Sequence, residues 1–455
     1  MPSEIRGLNE SCGLFGVWGH TEAAQMAYYG LHALQHRGQD GAGMVVKNNG
    51  SLIRHRGPGL AADAFPKEVL EELEGTAAIG HVRYALAGPK SLDGYQPRLF
   101  HFEKSSMAIC QNGSLINSEK LRYDLEEDGS IFQTSSDAET LAHLIRKSRE
   151  VKLLEKLKHA LRQIRGSFSF LILTQKKMIA ARDPFGIKPL VVGKLGDVYM
   201  LASETCAFDT LGASYVRDVA PGEIIIIDDD GLQSEYFTDK TNFAVCGMEF
   251  AYFARPDSDI DGVNVHTSRK NVGRILAKES PTKADVVVPV PDSGISAAIG
   301  YAEATGISYE IGLIKNRYAV RTFITPSQEL REQGVKMKLS AVRSIVDGKS
   351  VVLVDDSIVR GTTSKRIVTL LKEAGAKEVH MKVASPCMTH TCCYGVDLNT
   401  KKELIAHNKS VEEICEQIGA DSLSYISVDG LKCAVGLPGL CLACFTGDYP
   451  AGSAF

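Results

Sequence analysis

The sequence has little that would place the chain in a membrane or outside the cell. Its 455 residues contain no run near the roughly 18 consecutive apolar residues that a membrane helix needs. The leader MPSEIRGLNES, residues 1–11, lacks the apolar segment of a secretory signal. Charges nearly balance, with 51 Lys and Arg against 55 Asp and Glu, so no large basic surface for nucleic acid is indicated. We expect a cytoplasmic protein that binds neither membranes nor nucleic acid.

Internal repeats and low-complexity segments are also absent, and the length predicts two to three domains. The 11 cysteines are an odd number in a large chain without an export signal. This combination argues against a disulfide framework and favours metal binding or catalysis.

The sequence pattern predicts that residues 12–245 form one domain. Short apolar segments such as GLFGVW, GAGMVV and SFSFLILT alternate with glycine-rich turns and predict strands. One long amphipathic stretch runs from Asp137 to about Ile164, with apolar residues at a mostly helical period. Sheet combined with few long helices predicts a layered α+β domain.

The pattern changes in residues 246–455. Helical patterns alternate with uninterrupted apolar runs, as in ADVVVPVPDSG, KSVVLVDDS and KEVHMKVAS. Such runs are typical of a parallel sheet that is covered on both faces. We therefore predict a doubly wound α/β domain from 250 to about 400. The tail from 405 is expected to carry one more helix and a cysteine-bearing end.

The segment VVLVDDSIVRGTTS, residues 351–364, is the strongest single signal. A buried strand leads through a small polar loop to a helix predicted over about 362–374. Backbone N–H groups and hydroxyls at the start of that helix can bind a phosphate. The candidates are Ser357, Arg360, Gly361, Thr362 and Thr363. The two acids at the strand tip, Asp355 and Asp356, can bind ribose hydroxyls or engage Mg²⁺ through water. The alternative is a capped turn with incidental acids. The pattern resembles the signature of the type I phosphoribosyltransferases.

Two further segments fit a phosphate site. PVPDSG places Asp292, Ser293 and Gly294 after a strand, where they can offer N–H and hydroxyl groups to a pyrophosphate. A basic segment follows in residues 315–343. It is either a solvated loop or a mobile lid that neutralises pyrophosphate. Its candidate ligands are Lys315, Arg317, Tyr318 and Arg321.

Cys12 stands near the start of the chain, in NESCGLFGVWG. Cysteine attacks as the thiolate, and with a free pKa of about 8.5 it needs a base. A nearby histidine is one such base. The other is the α-amino group of the cysteine itself, whose pKa lies near about 8. This second base requires that residues 1–11 be removed, which makes the leader a self-cleaved propeptide.

Several motifs around Cys12 resemble the N-terminal-nucleophile glutamine amidotransferases. They are CGLFGVWG, LQHRGQDGAG, IGHVRYA, QNGSLIN, FQTSSDAE and RDPFGIKPL. Together with the phosphoribosyltransferase half, the chain from residue 12 to about 449 is similar to the glutamine phosphoribosylpyrophosphate amidotransferases. The resemblance implies an αββα glutaminase domain over 12–245. It also implies a type I phosphoribosyltransferase domain with a cluster-binding tail over 246–455.

The resemblance implies an enzyme with two sites. Glutamine is hydrolysed at Cys12, and ammonia passes to phosphoribosylpyrophosphate to give 5-phosphoribosylamine, glutamate and pyrophosphate. This is the first step of de novo purine synthesis. The resemblance further implies a homotetramer that is inhibited by purine nucleotides. Mg²⁺ is expected at Ser293, Asp355 and Asp356.

The same resemblance assigns roles in the glutaminase half. Asn112 and Gly113 would form the oxyanion hole, Arg83 would bind the glutamine α-carboxylate, and Asp137 would bind its α-ammonium. The alternatives are a surface salt bridge for the arginine and a helix N-cap for the aspartate. Arg37 and Gly38 would line the loop of the nucleophile. The sequence departs from the family at Ala85-Leu86, where a hydroxyl is lost, and at Gln111, where histidine is usual.

The motif CLAC, residues 441–444, is compatible with redox chemistry, zinc or a cluster when taken alone. By resemblance to the propeptide-containing members, we expect a [4Fe–4S] cluster on Cys246, Cys392, Cys441 and Cys444. Zinc is the second candidate, and Cys393 is an alternative third ligand.

Two other functions share parts of this pattern. One is a different glutamine-dependent enzyme, such as a glucosamine-phosphate synthase. The motif DDSIVRGTTS argues against it, because a sugar isomerase needs no such loop. The other is a non-enzymatic sensor that carries the cluster. The intact Cys12, Asn112-Gly113 and Asp355-Asp356 argue against that sensor.

Overall fold

The computed structural model describes residues 12–84, 94–103, 105–316, 339–396, 398 and 400–453. The predicted propeptide, Ala85-Leu86 and the lid candidates Arg317, Tyr318 and Arg321 lie outside the described residues. Among the helices of the described ranges, none is both long enough and apolar enough to cross a bilayer.

The strands of the N-terminal half form two stacked antiparallel sheets. In chain order they are β1 (Gly13–Trp18), β2 (Gly41–Asn48), β3 (Ser51–Pro58), β4 (Ala77–Arg83), β5 (Arg98–Phe102), β6 (Ser105–Leu115), β7 (Gly166–Thr174), β8 (Met178–Arg182), β9 (Val191–Leu195), β10 (Val198–Ala202), β11 (Ser214–Asp218), β12 (Glu223–Asp228) and β13 (Gly231–Tyr236). One sheet has the order β11-β9-β10-β1-β4-β2-β3, and the other has the order β13-β12-β8-β7-β6-β5.

Alternation along the strands builds a four-layer sandwich. Leu14 of β1 packs between the sheets with Leu171 and Ile225, whereas Phe15 faces the outer helices. Helices Ala23–Ala33, Ala61–Ala64, Lys67–Glu72 and Cys206–Leu211 cover the first sheet. Helices Ser118–Glu127, Asp137–Lys147 and Leu153–Leu161 cover the second. The predicted αββα domain is therefore confirmed.

The predicted amphipathic stretch from Asp137 to Ile164 is not one helix. The first helix ends at Lys147, because Ser148 takes an extended conformation, and the next begins at Leu153. Six of the seven residues 146–152 are polar, and Val151 is 93% exposed. This segment has almost nothing to bury, so the helical period is interrupted there.

The strands of the C-terminal half are β14 (Val245–Cys246), β15 (Asp259–Ile260), β16 (Val263–Asn264), β17 (Val286–Pro289), β18 (Ser308–Tyr309), β19 (Leu313–Lys315), β20 (Leu339–Ala341), β21 (Ser350–Asp355), β22 (Glu378–Val383), β23 (Ser422–Tyr425) and β24 (Leu440–Cys441). Five of them form a parallel sheet in the order β18-β17-β21-β22-β23. The others pair as β14-β24, β15-β16 and β19-β20.

Helices cover both faces of the parallel sheet. Val265–Glu279 and Ile295–Thr305 pack on one face with Val287 and Val352. Thr362–Glu373 and Val411–Ile418 pack on the other. The predicted doubly wound domain is thus confirmed, because apolar residues from both faces of its strands are buried.

Two details of this half were predicted wrongly. The sheet continues to Tyr425, beyond the expected limit near 400, because the polar edge strand SLSY carries little strand signal. The tail holds four short helices rather than one: Ile405–Asn408, Val411–Ile418, Val428–Val435 and Ala443–Thr446. The remaining short elements are Arg343–Val346, a π-helical turn at Glu249–Phe253, and 3₁₀ turns at Gln35–Arg37 and Lys401–Glu403.

Buried contacts join the two halves. Arg37 reaches Glu249 of the second half through two hydrogen bonds of 2.7 and 2.9 Å. Arg182 binds Asp261 with both terminal nitrogens, at 2.8 and 2.9 Å. The N-terminal half and the C-terminal half therefore share part of their interior.

Candidate active sites

Cys12 lies at the start of β1, beside the end of β4. The register pairs Gly13 with Val82, which brings Cys12 next to Arg83. The Cys12 carbonyl accepts a hydrogen bond of 3.2 Å from Arg37 Nε. Burial raises the pKa of the Cys12 thiol, although a backbone hydrogen bond with Tyr84 and the charge of Arg83 oppose the shift. The thiol is therefore protonated at neutral pH and needs a base to react.

Asn112 and Gly113 lie on β6 of the second sheet. The side chain of Asn112 is fully buried, and neither its oxygen nor its nitrogen has a hydrogen-bond partner within the described part of the chain. Gly113 has φ +115°, a conformation that favours glycine. Burial raises the pKa of Cys110, which lies on the same strand, and the charge of Cys12 adds to this shift. A buried amide without a partner costs about 1–3 kcal/mol, which suggests that it serves a ligand.

Arg83 projects beside two glycines that make room for it. A Cβ at Gly38 would lie 2.5 Å from the backbone of Arg83, and one at Gly94 would lie 1.5 Å from its guanidinium. The guanidinium lies 5.8 Å from the ring centroid of Tyr95. Within the described ranges the salt bridges do not include Arg83, and its role toward glutamine stays a prediction.

Asp137 is the first residue of its helix, and Ser136 occupies the N-cap, so the N-cap alternative for Asp137 was wrong. Its carboxylate accepts the N–H of Leu115 at 2.9 Å and the side-chain amide of Gln111 at 3.3 Å. Burial raises the pKa of Asp137 against these hydrogen bonds. Gln111, which stands where the family usually has histidine, therefore connects β6 to Asp137, the predicted ligand of the α-ammonium group.

Arg37 is fully buried and binds protein groups. Its guanidinium contacts Glu204 at 2.5 Å and Glu249 at 2.7 Å, besides the Cys12 carbonyl. It therefore contacts the backbone at Cys12 and stabilises two buried carboxylates. The structure gives it a positioning contact with Cys12, and its role toward glutamine stays a prediction.

The acids of the second site stand at the end of β21. Asp355 and Asp356 are both buried. Burial and the charge of Asp356 raise the pKa of Asp355, and burial raises that of Asp356. Side-chain hydrogen bonds from Ser293 and Ser357 partly offset the second shift. A cation or ribose hydroxyls at this pair would relieve the unfavourable burial of two adjacent carboxylates.

The loop after these acids ends at a helix N-terminus, as predicted. The helix spans Thr362–Glu373, and Gly361 is its N-cap with φ +75°. A Cβ at Gly361 would also lie 2.8 Å from Ile405, so the position requires glycine. The side chain of Arg360 forms an ion pair with Glu403 at 2.8 Å. The backbone N–H groups of the first helical turn, including Thr363, are available to an anion.

The predicted pyrophosphate turn lies next to the acids. A Cβ at Gly294 would lie 2.3 Å from the carbonyl oxygen of Val354, so this turn packs closely on the end of β21. Lys315 forms an exposed ion pair of 2.8 Å with Asp292. Two predicted ligands of one pyrophosphate are therefore neighbours.

The four predicted cluster cysteines lie close enough for their charges to interact. Cys246 and Cys441 are opposite each other in the parallel pair β14-β24. Burial raises the pKa of Cys444, and so do Cys246, Cys392 and Cys441, which all act on this one thiol. Cys393 instead directs its thiol to the Gly452 carbonyl at 4.0 Å. No group of three or more His, Cys, Asp or Glu residues in the described ranges is arranged to hold a metal ion.

Sequence reasoning missed some residues around the sites. Arg269 is buried near Asp356 and binds the carbonyls of Phe250 and Ala254 at 2.6 and 2.9 Å. Burial lowers the pKa of Arg269 to about 10. Glu249, which binds Arg37, was also missed. The partners of Arg269 and Glu249 are distant from them in sequence, so no local sequence pattern reveals either residue.

Comparison with known proteins supports both halves. A glutamine amidotransferase domain model matches residues 81–210, and a phosphoribosyl transferase domain model matches residues 264–422. The amidophosphoribosyltransferase of Bacillus subtilis is 58% identical over 99% of this chain and 96% of its own length. That of Staphylococcus aureus is 55% identical over 98% and 92%. The chain belongs to the amidophosphoribosyltransferase family.

Solved structures agree with this assignment. The glutamine phosphoribosylpyrophosphate amidotransferase of B. subtilis, in complex with ADP and GMP, matches with a TM-score of 0.93 and 57% identity. The match covers 97% of this chain and 98% of that one. A structure described as the allosteric regulatory enzyme of purine biosynthesis matches with a TM-score of 0.94 and 57% identity, over 97% of this chain and 96% of its own.

Membership in the amidophosphoribosyltransferase family gives the reaction. The chain is an enzyme that transfers ammonia from glutamine to phosphoribosylpyrophosphate, the first step of purine biosynthesis. The matches over both halves favour this activity over the glucosamine-phosphate synthase and over the non-enzymatic sensor.

Proposed function

We propose that Cys12 is the nucleophile of the glutaminase reaction and that Asn112 and Gly113 form its oxyanion hole. The observation that carries this proposal is the side-chain amide of Asn112, which is buried and has no partner among the described residues. A tetrahedral intermediate would give this amide the acceptor it lacks. The Gly113 N–H, at a backbone that only glycine adopts readily, is the second donor.

The glutaminase steps follow from these groups. The Cys12 thiolate attacks the amide carbon of glutamine, and the carbonyl oxygen becomes an oxyanion held by the two donors. The C–N bond then breaks as its nitrogen takes up the proton that the base removed from Cys12. Ammonia leaves, and a γ-glutamyl thioester remains until water hydrolyses it. Arg83 and Asp137 bind the α-carboxylate and the α-ammonium, with Gly38 keeping the Arg83 backbone in place.

Burial raises the pKa of the Cys12 thiol, and this shift is relevant to the role of the leader, residues 1–11. The thiol must lose its proton to a base, and the α-amino group of Cys12 becomes one when residues 1–11 are removed. We therefore propose that the leader is a propeptide and that the mature glutaminase begins at Cys12.

In the second site, ammonia attacks C1 of phosphoribosylpyrophosphate, and the C1–O bond to pyrophosphate breaks. The helix N-terminus after Gly361 is suited to the 5-phosphate, with hydroxyls from Thr362 and Thr363. The turn Asp292–Gly294 and Lys315 are suited to pyrophosphate. Ammonia needs no activating base, so the chain's task here is orientation and stabilisation of the leaving group.

Mg²⁺ fits the same site. It is commonly held by one or two carboxylates together with waters and substrate phosphates. Asp355 and Asp356 supply two adjacent buried carboxylates, and Ser293 contacts the second of them. Bound there, the ion would neutralise charge on the pyrophosphate.

We also propose a [4Fe–4S] cluster on Cys246, Cys392, Cys441 and Cys444. Cys246 and Cys441 are opposite each other in the pair β14-β24, and burial together with the charges of Cys246, Cys392 and Cys441 raises the pKa of Cys444. Cluster ligation as thiolates would relieve this cost. Iron and acid-labile sulfide near four of each per chain would support the cluster in anaerobically purified protein. Zinc, or no metal, would contradict it.

Regulation and assembly are proposed from the relatives. A similar structure was solved with ADP and GMP, and another is described as an allosteric enzyme. We propose that purine nucleotides inhibit this chain, that it forms a homotetramer, and that it works in the cytoplasm.

Two variants test the assignment of the sites. Cys12→Ala should abolish glutamine-dependent synthesis of phosphoribosylamine but keep synthesis from ammonium chloride, because only the first site loses its nucleophile. Asp355→Asn should lower both rates and leave the binding site for glutamine intact. Initial rates with each nitrogen source measure this separation. Retention of glutamine-dependent activity in Cys12→Ala would exclude Cys12 as the nucleophile.

A further inference from the structure

A segment of the second half reaches the proposed oxyanion strand. The Ser167 hydroxyl of β7 donates a hydrogen bond of 2.7 Å to the carbonyl of Tyr394. The next residue, Gly395, is buried and has φ +102°. A Cβ at Gly395 would lie 3.2 Å from both the Cα and the carbonyl carbon of Gly113. The backbone of Gly395 therefore packs directly on the residue whose N–H we assign to the oxyanion.

Gly113 is also held by the neighbouring strand. It pairs with Phe168 in the β6-β7 register, and a Cβ on it would lie 2.3 Å from the Ser167 carbonyl oxygen. Gly113 thus contacts both the neighbouring strand and Gly395. A shift of either neighbour would move the Gly113 peptide and its N–H.

Tyr394 anchors this contact. Its hydroxyl donates to the Gly452 carbonyl at 2.7 Å and accepts the N–H of Ala451 at 2.9 Å. Its own N–H contacts the Cys392 sulfur at 3.3 Å. Its ring packs edge-on against Tyr449, with centroids 5.9 Å apart. The segment is fixed at its side chain and its backbone, so it can act as a rigid support.

We propose that Gly395 is a positioning residue for the glutaminase reaction: the phosphoribosyltransferase half completes the oxyanion hole by holding the Gly113 peptide in place. The inference rests on the proposed role of Gly113. Gly395 touches neither substrate nor the reacting atoms. It acts through the close approach of its backbone, which no residue with a side chain reproduces without displacing Gly113.

The test compares two nitrogen sources in the same preparation of full-length Gly395→Ala. Removing an oxyanion donor typically lowers kcat by about 100- to 1,000-fold, and a displaced donor should lose part of that effect. We expect the glutamine-dependent kcat to fall about 10- to 100-fold, with the glutamine KM changed less than about threefold. The ammonia-dependent rate should stay within about twofold of wild type, since the second site is unchanged.

Gly419→Ala is the matched control. Gly419 also lies in the second half and has φ +75°, but a Cβ added to it would meet no atom within 4 Å. It carries the same kind of backbone strain without the contact, so both rates should remain near wild type. Ser167→Ala is a milder second variant that removes the hydrogen bond of 2.7 Å to Tyr394, and the longer one of 3.4 Å from the Ser114 N–H, without adding atoms. It should lower the glutamine-dependent kcat selectively, even if Gly395→Ala folds poorly.

The outcomes separate this inference from the proposed function. Equal losses with glutamine and ammonia in Ser167→Ala, or wild-type glutaminase in a folded Gly395→Ala, would overturn the positioning role. Asn112→Ala tests the oxyanion hole itself. If Asn112→Ala kept full glutaminase activity, the proposed function would fail. If Asn112→Ala lost it while Gly395→Ala did not, only the inference would fail.

Discussion

At the scale of single residues, the strand with Asn112 is supported by a buried histidine. His81 Nε2 lies 3.1 Å from the Gln111 carbonyl, and its Nδ1 has no partner among the described residues. Burial lowers the pKa of His81 to about 3, and the charge of Arg83 adds to the shift. The imidazole is therefore neutral at physiological pH and donates one hydrogen bond to the peptide before Asn112.

This histidine should make the fold sensitive to acid. The folded state resists protonation down to a pKa of about 3, whereas unfolded His81 takes up a proton below about 6.5. Stability is therefore present above the unfolded pKa and is lost as pH falls below it. From pH 8 to pH 5, wild type should lose about 2 kcal/mol more unfolding free energy than His81→Gln. Urea unfolding at both pH values measures this, and parallel losses would contradict it.

The sequence points to candidate catalytic residues more readily than to the residues that support them. Cys12 and Asn112 were singled out because they stand in motifs that resemble a known family. Glu249 and Arg269 were not found, since a buried ion pair or carbonyl contact depends on partners that only the fold brings together. The segment at Gly395 belongs to this second group as well.

At the scale of elements, prediction worked where burial is continuous. Strands such as β7 and β21 are buried along almost their whole length, so their apolar runs identify them. β3 and β23 were missed, because β3 is largely exposed and β23 is a short polar edge strand. The interruption between Lys147 and Leu153 was missed because Val151 happens to continue the apolar period.

This interruption can be tested by two substitutions in the region. Leu157 is fully buried, so Leu157→Ala should cost about 2–5 kcal/mol of unfolding free energy. Val151→Ser should change it by less than about 0.5 kcal/mol, because the side chain already faces solvent. Urea denaturation of both variants provides the comparison. A similar cost at both positions would favour one continuous buried helix.

At the scale of the whole molecule, Arg37 joins the two halves next to Cys12, the proposed nucleophile. Arg37→Met would leave Glu249 buried without its cation and Glu204 with His36 as its remaining basic partner, at a cost of about 3–5 kcal/mol in unfolding free energy. Arg274→Met is the control, since its ion pair with Glu303 is exposed and should contribute less than about 1 kcal/mol. Equal effects of the two substitutions in urea denaturation would show that the buried network does not hold the halves together.

The contact between Gly113 and Gly395 also has a consequence for the order in which the chain is made. Ribosomes release the N-terminal domain first, so β6 and β7 can fold long before Tyr394 and Gly452 exist. On our proposal, a nascent or truncated chain hydrolyses glutamine poorly until its last segment has folded. Ammonia is then not released by a protein that has no finished acceptor site, and unfinished chains do not waste the glutamine of the cell.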